Sequence, residues 1–108
     1  LVQPNIVNTP LAAGSSGSTF RAAVERDWLP ALEAHQPDIV FVSAGFDAHV
    51  DDPLADLRLV EEDYRWVTQF IVAVANQYAQ GRVVSTLEGG YDLDALARSV
   101  TAHIEALA

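Results

Sequence analysis

Two short apolar runs rich in β-branched residues, Asp38–Ser43 (DIVFVS) and Arg82–Leu87 (RVVSTL), stand on either side of a long stretch of helical periodicity. The first does not alternate apolar with polar residues, the pattern of a strand covered on both faces in a parallel sheet. The stretch between them predicts a helix from about Glu61 to Ala79, with Val67, Ile71, Val74 and Tyr78 on its buried face. Glu61, Glu62 and Asp63 fall in its first turn, where the helix dipole favours acids, and Gly81 sits where a terminating glycine belongs. An earlier helix is expected over Phe20–Leu32, because Phe20, Val24, Trp28 and Leu32 form one stripe. Pro30 lies inside it and predicts a kink or a break near Leu29. A last helix, Leu93–Leu107, carries Leu93, Leu96, Val100, Ile104 and Leu107 on one side. Helices alternating with strands imply an α/β fold, a parallel sheet with flanking helices.

The remaining segments are connections. Asn5–Asn8 is a short extended candidate, and the small residues Ala12–Ser18 (AAGSSGS) predict a flexible loop. Ala44–Arg58 reads as a long loop whose Asp51, Asp52 and Asp56 look like solvated charge. With 108 residues, half of them hydrophobic, the chain suits one small domain with a packed core. Its net charge of −9 disfavours nucleic acid and anionic membranes as partners. That acidity serves solubility, and it suits a cationic ligand such as a polyamine or a Lys-rich segment. No apolar run is long enough to span a bilayer and no charged-then-apolar leader opens the chain, so a cytoplasmic location is expected. Cysteine is absent, so any metal must be held by His or carboxylate. The first residue is Leu1 and there is no Met, which points to a piece of a longer reading frame.

Two loops carry the chemistry. Ser43–His49 (SAGFDAH) follows the first strand and Glu88–Tyr91 (EGGY) the second. Ligands of open parallel sheets bind beyond the carboxyl ends of the strands, so neighbouring strands would set these loops on one rim. Asp47 reads either as a metal ligand or general base, or as an Asp closing a turn on backbone amides. Tyr91, after Gly89-Gly90, reads either as a hydrogen-bond donor to a developing oxyanion or as a ring packing on the next helix. Asp92 is placed to cap that helix, and Glu88 to position backbone. His49, two residues after Asp47, reads either as a solvated loop residue or as a second metal ligand on the same side of an extended segment, and His35 and His103 read as solvated residues on helix surfaces. A serine hydrolase is disfavoured, because Ser43 is not in a Gly-x-Ser-x-Gly elbow.

At these loops the sequence resembles the zinc-dependent histone deacetylase superfamily, which includes bacterial acetoin-utilization proteins and acetylpolyamine amidohydrolases. The matching stretches are PDIVFVSAGFDAHVDDPLADLRLVEEDYRWVT and VVSTLEGGYDLDAL, and the wording is similar to bacterial members of the class II type. The resemblance implies that residues 1–108 are the C-terminal, incomplete part of such a domain, a fragment of the arginase/deacetylase-type three-layer fold. It implies that Asp47 is a zinc ligand and that Tyr91 polarises an amide carbonyl and stabilises the tetrahedral oxyanion. Gly89 and Gly90 would line the acyl-chain channel, and Leu54 would stand on the pocket wall. The implied activity is hydrolysis of acetyl amides on lysine or polyamines, with zinc as the cofactor.

The chain departs from that pattern in two ways. The family also needs an Asp-x-His pair after an earlier strand, for the other two zinc ligands, and a tandem His-His; neither can be assigned here, and the three His are far apart in sequence. This chain alone is therefore expected to be inactive and to bind zinc weakly. Val60 stands where the family commonly has a capping Thr, so fraying is expected at Glu61. A rival reading is a non-catalytic module that binds a partner or forms a homo-oligomer through an exposed sheet edge.

Overall fold

The computed structural model describes residues 5–108, and its elements run α1 (Gly17–His35), β1 (Val40–Ala44), α2 (Glu61–Tyr78), β2 (Val83–Leu87) and α3 (Leu93–Leu107). The two strands pair in parallel, from Val40 opposite Val83 to Ala44 opposite Leu87, with α2 as the crossover. The α/β expectation therefore holds. Asn5–Asn8 joins no strand.

Period-two alternation sorts the strand residues into two faces. Val42 and Ala44 turn inward beneath the helices, and Ser85 of β2 reaches His103 of α3. Phe41 and Val84 turn the other way and are 72% and 46% exposed. The first strand was expected to be covered on both faces, but within the described residues only one face of the sheet is covered.

Two of the three helices differ from their expected form in an informative way. α1 runs through Pro30 to His35 rather than breaking at Leu29. Pro30 and Arg26 are both on the exposed side, so the carbonyl that loses its intrahelical partner faces solvent. Gln36 ends the helix in the left-handed region, its N–H bonded to the Leu32 carbonyl at 2.8 Å. α2 ends as expected: Gly81 has φ +76° and donates its N–H to the Ala75 carbonyl at 2.9 Å. α3 keeps part of the expected face, since Leu96 and Val100 pack against the core, but its deepest side is turned away from that face. Its buried residues are Ala95, Ser99, Ala102 and His103, while Leu93 and Ile104 are 78% and 58% exposed. Small side chains at three of those buried positions permit close packing of α3.

The start of α2 lacks a side-chain cap at Val60, as expected, but another group takes over. The Asp63 carboxylate accepts the Val60 N–H at 2.9 Å, the N3 half of a capping box. Arg21 of α1 donates to the same carboxylate at 3.1 Å. The first turn is thus tied to α1 rather than left to fray. The Gly/Ser loop is also tied. Gly14 donates to the Asp56 carbonyl at 2.6 Å, and Arg58 donates to the Ser15 carbonyl at 2.9 Å.

Candidate active site

Because β1 and β2 are parallel, both chemically loaded loops leave the same end of the sheet. The ladder continues into them. Glu88 donates to the Ala44 carbonyl at 2.9 Å, and Phe46 donates to the Gly89 carbonyl at 2.8 Å. Beneath them lies the cluster Ala44, Phe46, Leu59 and Tyr64, edged by Leu96 and Val100. Phe46 anchors the first loop there, its ring 5.0 Å from Tyr64 and 5.6 Å from His103.

The half-buried Asp47 stands next, with its carboxylate against the backbone of both loops. A Cβ on Gly89 would come within 3.0 Å of Asp47 Oδ2, and one on Gly45 within 3.2 Å of Oδ1. Two of the glycines in these loops are thus explained by the space the carboxylate needs. Gly90 is explained otherwise: its φ is +144°, and a Cβ there would meet the Leu96 side chain at 2.7 Å.

Asp47 is not the residue that closes its own loop. That role belongs to Asp52, which was expected to be solvated and is only 6% exposed. Asp52 Oδ1 accepts the Leu54 N–H at 2.9 Å, and Oδ2 accepts the N–H of Tyr91 at 2.7 Å and of Asp92 at 3.3 Å. Burial works against the ionised carboxylate, but the amides of Leu54, Tyr91 and Asp92 outweigh it and hold its pKa below the usual value. Leu54 and Tyr91 are therefore gathered by one carboxylate, and their side chains stand 70% and 56% exposed at the rim. Asp92 caps α3 as expected, accepting the Ala95 N–H at 2.8 Å. Glu88 is exposed.

His49 also differs from its expected solvated state, being 2% exposed. The Asp51 N–H donates to its Nδ1 at 3.1 Å, so the proton of the neutral ring belongs on Nε2, 3.0 Å from Glu61 Oε1. Arg98 of α3 donates to the same Glu61 oxygen at 2.6 Å and to Asp51 at 3.1 Å. Arg98 first, and then the helix-start backbone and His49, bring the Glu61 pKa down to about 2.

The second correction among the histidines is His103, buried between two hydroxyls. Thr68 Oγ1 spends its hydrogen on the Tyr64 carbonyl at 2.7 Å, so it accepts from His103 Nδ1 at 2.8 Å. Ser85 then donates to Nε2 at 2.8 Å. Burial lowers the His103 pKa, which keeps the ring neutral. His35 is exposed, as expected.

Tyr64, which the sequence reading did not single out, lies in the floor of the site. Its hydroxyl is buried without a hydrogen-bond partner. Burial first, then the negative charges of Asp47, Asp52 and Asp63, push its pKa well up. Only its place three residues into α2, beyond the loop, could have signalled it.

Among the described residues, no three His, Cys, Asp or Glu side chains come together as a metal site. A catalytic zinc takes three protein ligands and keeps one position open. Asp47 has the chemistry of one such ligand, while His49 is committed to Glu61 and Asp51. These residues alone do not fit a bound zinc.

The decisive comparison is with protein families: the pattern of the histone deacetylase domain matches residues 2–107. The chain belongs to the histone deacetylase family. It is 42% identical over 106 residues to type-2 histone deacetylase 2 of Dictyostelium discoideum, covering 95% of this chain and 6% of that protein. It is 39% identical over 85 residues to the histone deacetylase-like amidohydrolase of Pseudomonas aeruginosa, covering 79% of this chain and 22% of that one. Its fold matches the crystal structure of the HDA15 HD domain with a TM-score of 0.84 at 34% identity, over 93% of this chain and 27% of that chain. The chain thus spans less than a quarter of the length of those two relatives. None of its described helices is long and apolar enough to cross a membrane.

Proposed function

We propose that this chain supplies one side of the active site of a deacetylase-like amidohydrolase that cleaves acetyl amides on lysine or polyamines. The observation that carries the reading is the convergence of Asp47 and Tyr91 on one rim, stitched by the Phe46–Gly89 and Asp52–Tyr91 hydrogen bonds. In this reading Asp47 is one ligand of a catalytic zinc, and the other ligands come from outside the described residues. A zinc held in part by Asp47 would supply Lewis acidity to the amide carbonyl. Tyr91 donates its phenolic hydrogen to the carbonyl oxygen as negative charge gathers there, a contact stronger in the transition state than in the ground state. Gly89 and Gly90 give the acyl chain close access to the backbone, and Leu54 lies against it. The substrate is an acetylated cation precursor, and the net charge of −9 suits a product that becomes an ammonium. The reaction is placed in the cytoplasm, and no nucleic acid or membrane takes part.

The test is hydrolysis of an acetyl-lysine peptide and of acetylspermidine by the full-length protein, beside Tyr91→Phe and Asp47→Asn. Loss of turnover in both variants with the fold intact is the expected result. Wild-type turnover in Tyr91→Phe refutes the assignment.

A second reading has its own observation. An apolar cleft of about 740 Å³ opens between α1 and the free edge of β1, lined by Trp28, Leu32, Val40, Phe41 and Ile71. Together with the bare Phe41–Val84 face, this favours self-association of the chain when it stands alone. Light scattering that finds a clean monomer at high concentration rejects it.

A further inference from the structure

We propose that Asp52 is a positioning residue for Tyr91, whose carboxylate fastens the second loop to the first and so sets where the phenol stands relative to Asp47. The proposal rests on the role given to Tyr91 above, and it adds a residue that acts only through Tyr91.

Tyr91 is held mainly by its backbone. Its side chain is 56% exposed, so packing does little to fix it. It follows Gly90, whose φ of +144° lies in a region open to glycine, so the chain entering Tyr91 has wide intrinsic freedom. The restraint is on the backbone: the Tyr91 N–H meets Asp52 Oδ2 at 2.7 Å, and the next N–H, of Asp92, meets the same oxygen at 3.3 Å. These bonds join residues 39 and 40 apart in sequence, so they are loop-to-loop contacts rather than a local turn. An ionised acceptor makes them stronger than ordinary amide bonds.

Asp52 is itself anchored. Its N–H donates to the His49 carbonyl at 2.9 Å, and the buried His49 ring is held by Glu61 of α2. Glu61 and Asp51 both bond Arg98 of α3. The carboxylate therefore stands on two helices, and the exposed phenol inherits that fixed position. A reacting group that must sit within a fraction of an ångström of its place needs such support.

An acid that merely closed the Asp52–Leu54 turn would affect folding and activity alike, whatever stands at position 91. The two roles are separated in the full-length deacetylase by measuring kcat and KM for Asp52→Asn, Tyr91→Phe and the double variant. Asn keeps the volume but is neutral and has one acceptor oxygen: turned to Tyr91 and Asp92 it sets its NH2 against the Leu54 N–H, and turned to Leu54 it releases both loop amides. Asp52→Asn should lower kcat by about tenfold to a hundredfold, as ångström-scale misplacement does. KM should stay within about twofold, and zinc content should be unchanged. Added to Tyr91→Phe, it should cost less than about threefold more, because the two act as a unit. Unchanged kcat in Asp52→Asn, or losses that multiply fully in the double variant, overturn the proposal. Amide exchange gives a readout independent of turnover: exchange at Tyr91 and Asp92 should quicken by about tenfold or more in Asp52→Asn. Unchanged exchange there overturns the clamp. If Tyr91→Phe keeps full turnover while exchange quickens, the clamp stands and the catalytic reading of Tyr91 fails.

Discussion

Replacing Gly17 by Ala should destabilise the chain, although helix propensity alone says the reverse. Gly17 is the first residue of α1, and Ala in a helix is favoured over Gly by about 0.5–1 kcal/mol. A Cβ at Gly17, however, would overlap the Asp63 carboxylate. That carboxylate is 4% exposed and bonds both the Val60 N–H and Arg21 Nε. To make room it must leave them. Losing the helix-start bond costs about 1–2 kcal/mol, the usual worth of a cap. Losing Arg21, itself 37% exposed, costs at most about 1 kcal/mol. Against the propensity gain, the net is a loss of about 1–2 kcal/mol. For a chain of this size that lowers Tm by about 5–15 °C in a thermal melt followed by circular dichroism. In an Asp63→Ala background the same substitution should be neutral or stabilising, since the obstacle is gone. A Gly17→Ala variant that melts at or above wild type refutes the reasoning.

Three other substitutions have expected outcomes. Val60→Thr adds the missing cap oxygen at an exposed position and should stabilise by about 0.5–1 kcal/mol in urea melts, helped by the Asp63 half already present. His103 is held neutral by burial, so below its unfolded pKa of about 6.5 the unfolded chain binds a proton that the folded chain does not. Its contribution is full above that pH and is lost as pH falls toward the lower folded pKa. Urea melts at pH 7.5 and 5 should show a smaller drop for His103→Gln than for wild type. Glu61, with its pKa near 2, contributes stability above about pH 4.5 that is lost as pH falls through 2. Glu61→Gln should cost about 1 kcal/mol at pH 7, modest because Arg98 is 41% exposed, and should flatten acid unfolding.

The frame of the fold was legible because β-branched runs, a helical stripe and Gly81 each have a local cause. So was the meeting of the two loops, which follows from parallel strands. What escaped notice depended on shape and on loop packing. The leucine stripe of α3 marks only part of its packed face: Leu96 and Val100 touch the core, whereas close packing selected Ala95, Ser99 and Ala102 for the deepest positions and left Leu93 outside. His49 and Asp52 lie in a loop without period, so nothing local says that the chain folds over them. Phe41 and Val84 are apolar enough for a covered face, and their character outruns the cover these residues supply.

Zinc titration by calorimetry, on this 108-residue chain and on the full-length protein, tests the central claim most directly. Asp47 alone should give the chain only weak, non-stoichiometric binding, while the full-length protein binds one zinc tightly and loses it in Asp47→Ala. Tight one-to-one binding by the chain alone, or unchanged binding in full-length Asp47→Ala, would contradict the account.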